Sequence, residues 1–298
     1  MAVVGHRRDG HARSLIGKLE AGGARASFVQ LSACSFSTFH PSGLMVPGFG
    51  PDLPSGVIVR GIAAGSFEAV TRRLGVLHAL RQLGVLVWND ARAIERCVDK
   101  SMTSFLIDRA GLPTPDSWAI EGRGEAHRIA KRETLRGPLV LKPLFGSQGR
   151  GLKLIHAPDE LPDEESVAGV YYLQRFTGMA GPDHSDLRAL VSKGRIVAAM
   201  RRRARHWITN VKQGGRPEAV ALDAGLASLA VGAAECVGAD FAGVDILVGC
   251  DGRPYILEVN SMPAWSGLQS VAGIDIAGAI ACDFLAALGE RQRARSVE

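Results

Sequence analysis

The sequence predicts an α/β protein: an N-terminal unit on a parallel sheet, followed by units built from antiparallel hairpins. Three observations predict it. Short apolar strands alternate with amphipathic helices through roughly the first 95 residues, the pattern of a parallel sheet covered by helices. Two hairpin signals, Lys193-Gly194 and Asp251-Gly252, occur in the second half. Between them and the N-terminal unit lies a glycine-rich stretch, "GSQGRG", set between two apolar strands. At 298 residues the chain can hold two or three small cores.

Taken in order, "MAVVG" and "ARSLIGKLEAGGARASFVQL" read as strand, helix and strand, with Gly22-Gly23 stopping the helix. "GVIVRG" is a strand. "SFEAVTRRLGVLHALRQLG" is a helix capped by Ser66 and closed by Gly84, and "VLVWN" is the next strand. "DARAIERCVDKSMTSFLIDRAG" reads as helical up to Gly111. "GPLVLKPLFGSQGRGLKLI" is strand, loop and strand, and "GVYYLQRF" is a strand. "DLRALVSKGRIVAAMRRR" and "FAGVDILVGCDGRPYILEVN" are hairpins. "DAGLASLAVGAAECVG", capped by Asp223, and "GIDIAGAIACDFLAALGE" are helices, and the final "RQRARSVE" is a frayed end. There is no repeat and no low-complexity tract.

Apolar residues make up 46% and charged residues 22%, an ordinary globular composition. A net charge of +5 is too mild to imply nucleic acid but favours anionic ligands. Cys34, Cys97, Cys236, Cys250 and Cys282 form no CxxC pair, which excludes a zinc ribbon or disulfide framework and fits a reduced, cytoplasmic setting. No apolar run is long enough for a signal peptide or a membrane span.

Glu258 and Asn260 interrupt the apolar run "YILEVNSMPA". A two-residue turn at Asp251-Gly252 sets Asp245 directly opposite Glu258, with Asn260 on the same face. Two opposed carboxylates in an apolar setting repel, and a hard divalent cation relieves that repulsion. The alternatives are an edge strand with a solvated face, or a bulge that turns Asp245 away. In "VLKPLFGSQGRGLKLI", Gly146, Gly149 and Gly151 can present backbone N–H groups to phosphates, and Lys142 can reach them as a point charge. This is neither a Walker loop nor a dinucleotide fingerprint, because Leu152 follows Gly151 and no helix opens there. An ordinary flexible hairpin with a surface lysine is the plainer alternative. "RRRARHWITNVKQGGR" holds six basic residues and no acid. It reads as a lid clamping phosphate or carboxylate, with nucleic-acid binding or a solvated charge run as the other readings.

With these motifs in place, the chain resembles the ATP-grasp superfamily, and within it the RimK-type α-L-glutamate ligases. "GSQGRG", "DLRALVSKGRIVAAMRRRA", "TNVKQGG", "AGVDILV", "EVNSMPAWSGLQ" and "GIDIAGAI" fall in that family's order and spacing. The resemblance implies an ATP-grasp fold in three parts: an N-terminal α/β pre-ATP-grasp domain over 1–95, a central subdomain over 96–172 and a C-terminal subdomain over 173–298. It implies ATP between the last two. Lys100 and Lys142 would meet its phosphates under a loop of Gly146, Ser147, Gln148, Gly149 and Gly151. Gln174, Arg175 and Phe176 would meet adenine through the backbone. Asp245, Glu258 and Asn260 would hold two Mg²⁺ ions, or Mn²⁺ in their place, with Glu258 bridging. Arg188 and Asn210 would face the acyl-phosphate end, and Arg202 or Arg203 the incoming amino acid.

The sequence departs from the family pattern in three places. Arg175 stands where a hinge acid is common, which moves the ribose contact to Asp183. "TGMAGPDHS" is longer than in ribosomal-tail modifiers, and Lys212-Gln213 replaces their His-Arg. "KPLFGSQGRG" is more similar to ligases that glutamylate coenzymes. The implied activity is therefore ATP-dependent addition of L-glutamate to a small carboxylate-bearing coenzyme of the tetrahydromethanopterin type, through an acyl phosphate, with Trp207 and Trp265 as its aromatic wall. Glutamylation of a ribosomal-protein tail, and a non-catalytic nucleotide- or RNA-binding module, are the alternatives. A cytoplasmic homo-oligomer, dimer or tetramer, is expected, with no nucleic acid or membrane as partner.

Overall fold

The structure, a computed structural model, describes residues 1–146, 149–178, 181 and 183–296. The N-terminal sheet is parallel, as the alternation predicts. Strands β1 (Ala2–Val4), β2 (Ser27–Val29), β5 (Gly56–Val59) and β6 (Leu86–Trp88) lie in the order β2-β1-β5-β6. A small antiparallel pair, β3 (Ser35–Phe36) and β4 (Leu44–Met45), sits beside it. Helix α1 (Gly10–Ala21) is capped by Asp9, whose side chain accepts from the His11 N–H. Helix α2 (Phe67–Gln82) is capped by Ser66, which accepts from Ala69. Ala12, Leu15 and Leu19 share one face of α1 and are fully buried; each leucine contributes roughly 1.5–3 kcal/mol.

One expected helix is two. The run from 91 to 109 breaks at Asp99, giving α3 (Ala91–Val98) and α4 (Lys100–Arg109). Asp99 takes an extended conformation, and its carboxylate caps α4 by accepting from Ser101 and Met102 N–H. The break makes Lys100 the first residue of a helix rather than the middle of one.

The second sheet is antiparallel: β7 (Ser117–Glu121), β10 (Val170–Arg175), β8 (Leu139–Lys142) and β9 (Lys153–Ile155), in that order, covered by α5 (Arg123–Glu133). The third sheet orders β13 (Arg216–Ala219), β12 (Arg195–Ala204), β11 (His184–Ser192), β14 (Phe241–Val248) and β15 (Pro254–Asn260). One of its faces packs on α6 (Ala224–Val237) and α4, through Ala230, Ala233, Val244 and Ile256. Its other face shares a core with the N-terminal unit, through the short α7 (Ser266–Gln269) and α8 (Ile276–Arg295). There Phe284 lies against Gly56 so closely that a Cβ would stand 2.7 Å from the ring.

Asn89, fully buried at the end of β6, joins the same two units. Its amide N–H₂ donates to the carbonyls of Phe241 and Ser261, both at 2.6 Å. Its oxygen accepts from Asp240 N–H at 2.6 Å and Phe241 N–H at 3.1 Å.

The hairpin register has an instructive cause. The turn is longer than the expected two residues: Gly249 N–H donates to the Arg253 carbonyl, and Val248 pairs with Pro254. That shifts the ladder by one. A bulge at Leu257 shifts it back, so Asp245 does oppose Glu258. The Lys193-Gly194 turn has two residues, both at positive φ, as predicted.

Candidate active site

A cleft runs between the second and third sheets. Its floor is a row of charges on one face of the third sheet. Arg188 lies opposite Asp245, which lies opposite Glu258; Arg202 lies opposite Asp186. Arg188 donates to both oxygens of Asp245 at 2.6 and 2.7 Å. Arg202, 2% exposed, donates through Nε to Asp186 at 2.7 Å and through Nη2 to Asp186, while the same Nη2 stands 3.0 Å from Asp245. Two guanidinium and two carboxylate groups thus neutralise one another in a buried block. Burial pushes the Asp245 carboxyl up, but Arg188 and then Arg202 outweigh it and hold the group below the usual carboxylate range.

This corrects the premise of the repulsion argument. Asp245 faces Glu258 as expected, but arginines have already neutralised it, and both its oxygens accept hydrogen bonds. Nor is Arg202 free for an incoming amino acid, because its fork is consumed by Asp186 and Asp245. Among the described residues, no group of three His, Cys, Asp or Glu side chains is arranged to hold a metal unaided. What remains is Glu258, which lines the cleft with no hydrogen bond or ion pair to a described residue, and Asn260, whose buried Nδ2 lacks a partner. The open Glu258 carboxylate and the Asn260 side-chain oxygen, on one strand face, suit Mg²⁺, which keeps few protein oxygens and takes the rest from water and phosphate; the unsatisfied Asn260 Nδ2 is a donor and takes no part in holding a cation.

Over this floor come the lysines. Lys142, the last residue of β8, donates to Gln174 Oε1 at 2.6 Å. Its pKa is lowered to about 8, chiefly by burial and also by neighbouring Lys100, with Glu258 opposing both. Lys100 donates to the carbonyls of Leu144 (3.2 Å) and Gly146 (3.0 Å); burial also lowers its pKa, against Glu258 and Asp99. Two half-buried ammonium groups that lack an anionic hydrogen-bond partner are set to receive phosphate. The Lys142 shift has a checkable sign. The free protein loses its Lys142 charge as pH rises through about 8, and bound phosphate favours the charged form. KM for ATP is therefore expected to rise above that pH with a proton taken up on binding, measurable by calorimetry in buffers of different ionisation enthalpy.

Gly149 and the lid meet across the cleft. Gly149 has φ +70°, and a Cβ there would stand 2.5 Å from Asn210 Oδ1 and 2.7 Å from Ile208 Cγ2. Gly151, at φ +72°, would clash with Pro143 at 2.8 Å. Gly149→Ala is expected to raise KM for ATP about tenfold or more with little change in Tm, because strain and clash fall on a surface loop. Wild-type kinetics in that variant would contradict the fit. Ser147 and Gln148 lie outside the described residues.

At the far end, Gln174, Arg175 and Phe176 line the cleft, but not as simple backbone donors. Arg175 N–H donates to Asp116 and Phe176 N–H to Pro138. The Gln174 side chain is spent on Lys142 and the Tyr172 hydroxyl, which pairs with Ser104. The Arg175 guanidinium holds Glu133 at 2.6 Å and the carbonyls of Glu133 and Gly137, so it braces α5. Asp183, exposed, pairs with Arg203 at 3.2 Å and lines the cleft mouth. Sequence reasoning missed Thr177, whose buried hydroxyl has no partner here. A lone Thr after a strand carries no readable signal.

The two tryptophans do not form a shared wall. Trp207 sits edge-on to Phe176 (5.9 Å, 88°), at the Gln174–Phe176 end of the cleft. Trp265 is 3% exposed and packs between Arg60 and His11, away from the cleft lining.

Comparison with known proteins agrees with this fold. Residues 97–283 match the model of the RimK-like ATP-grasp domain. The chain is 35% identical over 199 residues to a tetrahydromethanopterin:alpha-L-glutamate ligase of Methanococcus maripaludis, covering 65% of this chain and 67% of that one. It is 33% identical over 237 residues to a probable alpha-L-glutamate ligase of Aeromonas salmonicida, covering 72% and 76%. Among solved structures, the ATP-grasp ligase PsnB with minimal precursor, Mg and ADP superposes with a TM-score of 0.74 at 24% identity, over 96% of both chains. The D-alanine–D-alanine ligase of Bacillus anthracis with ATP gives 0.67 at 17%, over 98% of both. At those identities the structural likeness speaks for the fold. From the matched domain and these relatives, the chain belongs to the RimK-like ATP-grasp ligase family.

Proposed function

We propose that the chain joins L-glutamate through an amide bond to a carboxylate of a small coenzyme of the tetrahydromethanopterin type, using ATP. The observation that carries the reading is the unpaired Glu258 facing Lys100 and Lys142, in a cleft where every other carboxylate of the floor is already neutralised. The substrate class rests on the relatives and on the loop "KPLFGSQGRG".

In this reading the triphosphate lies between the two lysines and the Gly146–Gly151 loop. Glu258 and Asn260 would hold Mg²⁺, as two ions in this reading; Asp245 would join them only if Arg188 turned away. Bound Mg²⁺ neutralises charge on the transferring phosphoryl group. The acceptor carboxylate attacks the γ-phosphorus, ADP leaves, and an acyl phosphate forms. The glutamate amine then attacks the acyl carbon, the C–O bond to phosphate breaks, and the amine proton is released to solvent. Asn210 serves the acyl-phosphate end, which Arg188 reaches only through Nη1 because Asp245 takes its Nε and Nη2, while Arg202 positions Asp186 and Asp245 rather than substrate. The lid over 201–216 excludes water that would hydrolyse the intermediate. Thr177, Trp207 and Phe176 take the adenine end, with Asp183 at the ribose. The working units are 1–95, 96–172 and 173–298, in a cytoplasmic homo-oligomer.

The test is competitive. Purified protein receives Mg-ATP, L-glutamate, and equal amounts of a reduced pterin coenzyme and a Glu-ended peptide, with mass detection of added glutamate. Modification of the coenzyme supports the reading. Preference for the peptide would sink the substrate assignment and leave the ligase chemistry standing.

A further inference from the structure

Arg60 follows β5, at the C-terminal ends of the parallel strands, and is 6% exposed. Its Nε and Nη1 are buried with no hydrogen-bond partner. The nearest carboxylate, Asp9, stands 3.7 Å from Nε, outside hydrogen-bond range, and already caps α1. The guanidinium lies over the Trp265 ring, 4.4 Å from its centroid, and His11 meets that ring at 4.3 Å. Cation–π contact offsets part of the cost of burying the charge but cannot satisfy the N–H groups.

The surroundings are positive as well. The first turn of α1 presents the positive end of its dipole, with Asp9 already accepting the His11 N–H. The His11 pKa is lowered, first by burial, then by Arg60, and also by Lys212 of the lid, with only Asp9 opposing. A buried guanidinium with unused donors on both its edges, at a helix N-terminus and near Lys212, is a site that an anion completes. It lies outside the cleft lining but is tied to the lid: a Cβ on Gly267, two residues after Trp265, would stand 3.2 Å from Val211, the residue after Asn210.

We infer that Arg60, His11 and the first turn of α1 form a carboxylate subsite at the seam between the N-terminal and third sheets. It reads a carboxylate that is not phosphorylated, and so rests on the ligase reading above. Both substrates of a glutamate ligase carry such a spare group, so kinetics must assign it.

Arg60→Met keeps the stem and removes the fork; Arg60→Lys keeps the charge and removes the fork. In both, KM for either L-glutamate or the reduced pterin coenzyme should rise about tenfold to a hundredfold, with KM for ATP unchanged; the substrate affected is the one the subsite reads. Without substrates, the Tm of Arg60→Met should hold or rise, because an unpaired buried charge is gone. Glutarate, as a plain dicarboxylate probe, should raise the wild-type Tm and fail to raise that of Arg60→Lys. Unchanged KM for both substrates in Arg60→Lys overturns the subsite, as does a lowered Tm with unchanged KM in Arg60→Met. If Arg60→Met does not fold, Arg60→Lys and the glutarate shift decide alone. Should wild type show no ATP- and glutamate-dependent ligation, the ligase reading fails, and the glutarate shift still decides the subsite: a shift lost in Arg60→Lys supports it, no wild-type shift overturns it.

Discussion

Glu258→Gln is expected to fold as wild type does and to lose ATP turnover by on the order of a hundredfold or more. The side chain makes no hydrogen bond or ion pair to a described residue, so its replacement removes no structural contact. Stability should stay within about 0.5 kcal/mol of wild type. What the amide cannot do is supply the negative charge that holds Mg²⁺ against the phosphates and faces Lys100 and Lys142. The loss should therefore appear in kcat, and raised Mg²⁺ should restore part of it. Turnover of ATP and acceptor at the wild-type rate would remove Glu258 from the metal site.

Arg202→Ala is expected to act on stability instead. It strips Asp186 of its fork and leaves Asp245 with Arg188 alone, both carboxylates in buried positions. Removing one partner of a buried ion pair costs about 3–5 kcal/mol, a large share of a typical folding free energy. The sign with pH follows. Burial already raises the Asp186 pKa, and without Arg202 it rises further. A raised folded pKa means the folded state binds the extra proton, so the variant's stability is lost as pH rises through that pKa. The deficit against wild type should be smaller at pH 5 than at pH 8 in urea melts. A second change, Asp186→Leu, should recover part of it. A deficit equal at both pH values would show that Asp186 is not the uncompensated charge.

The fold was legible where periodicity is strong. The parallel N-terminal unit, both hairpins, and α1, α2, α6 and α8 follow from alternation and caps. Helix α5 did not, because "RGEAHRIAKRE" buries little beyond Ala126 and Ala130 and has no apolar stripe to read. The split at Asp99 was readable in principle, since Asp followed by Lys-Ser is cap chemistry, but the helical pattern runs through it. At the site, sequence spacing paired Asp245 with Glu258 although two errors cancelled, a longer turn and a bulge. The arginine block was out of reach: Arg188 meets Asp245 only through the register of β11 on β14, which joins residues 57 apart. Arg60 was missed for the same reason. A lone Arg after "GVIV" looks like a strand end, and only the fold brings Trp265 and His11 to it.

The Asn89 clasp has a consequence for motion. With four hydrogen bonds and the shared core around Phe284, it makes the N-terminal and third sheets one rigid body. Helix α4 packs onto that body. Among the described residues, the second sheet is then the jaw left to swing, with one chain crossing near 110–116. Lys100 belongs to the fixed body, yet its ammonium grips the Leu144 and Gly146 carbonyls on the jaw. An arriving phosphate would compete for that same ammonium. Nucleotide entry and release of the jaw are thus coupled through Lys100, beside the Ser104–Tyr172 hydrogen bond that also joins α4 to the jaw, so product escape can be gated by Lys100 re-latching on the microsecond-to-millisecond scale of domain motions.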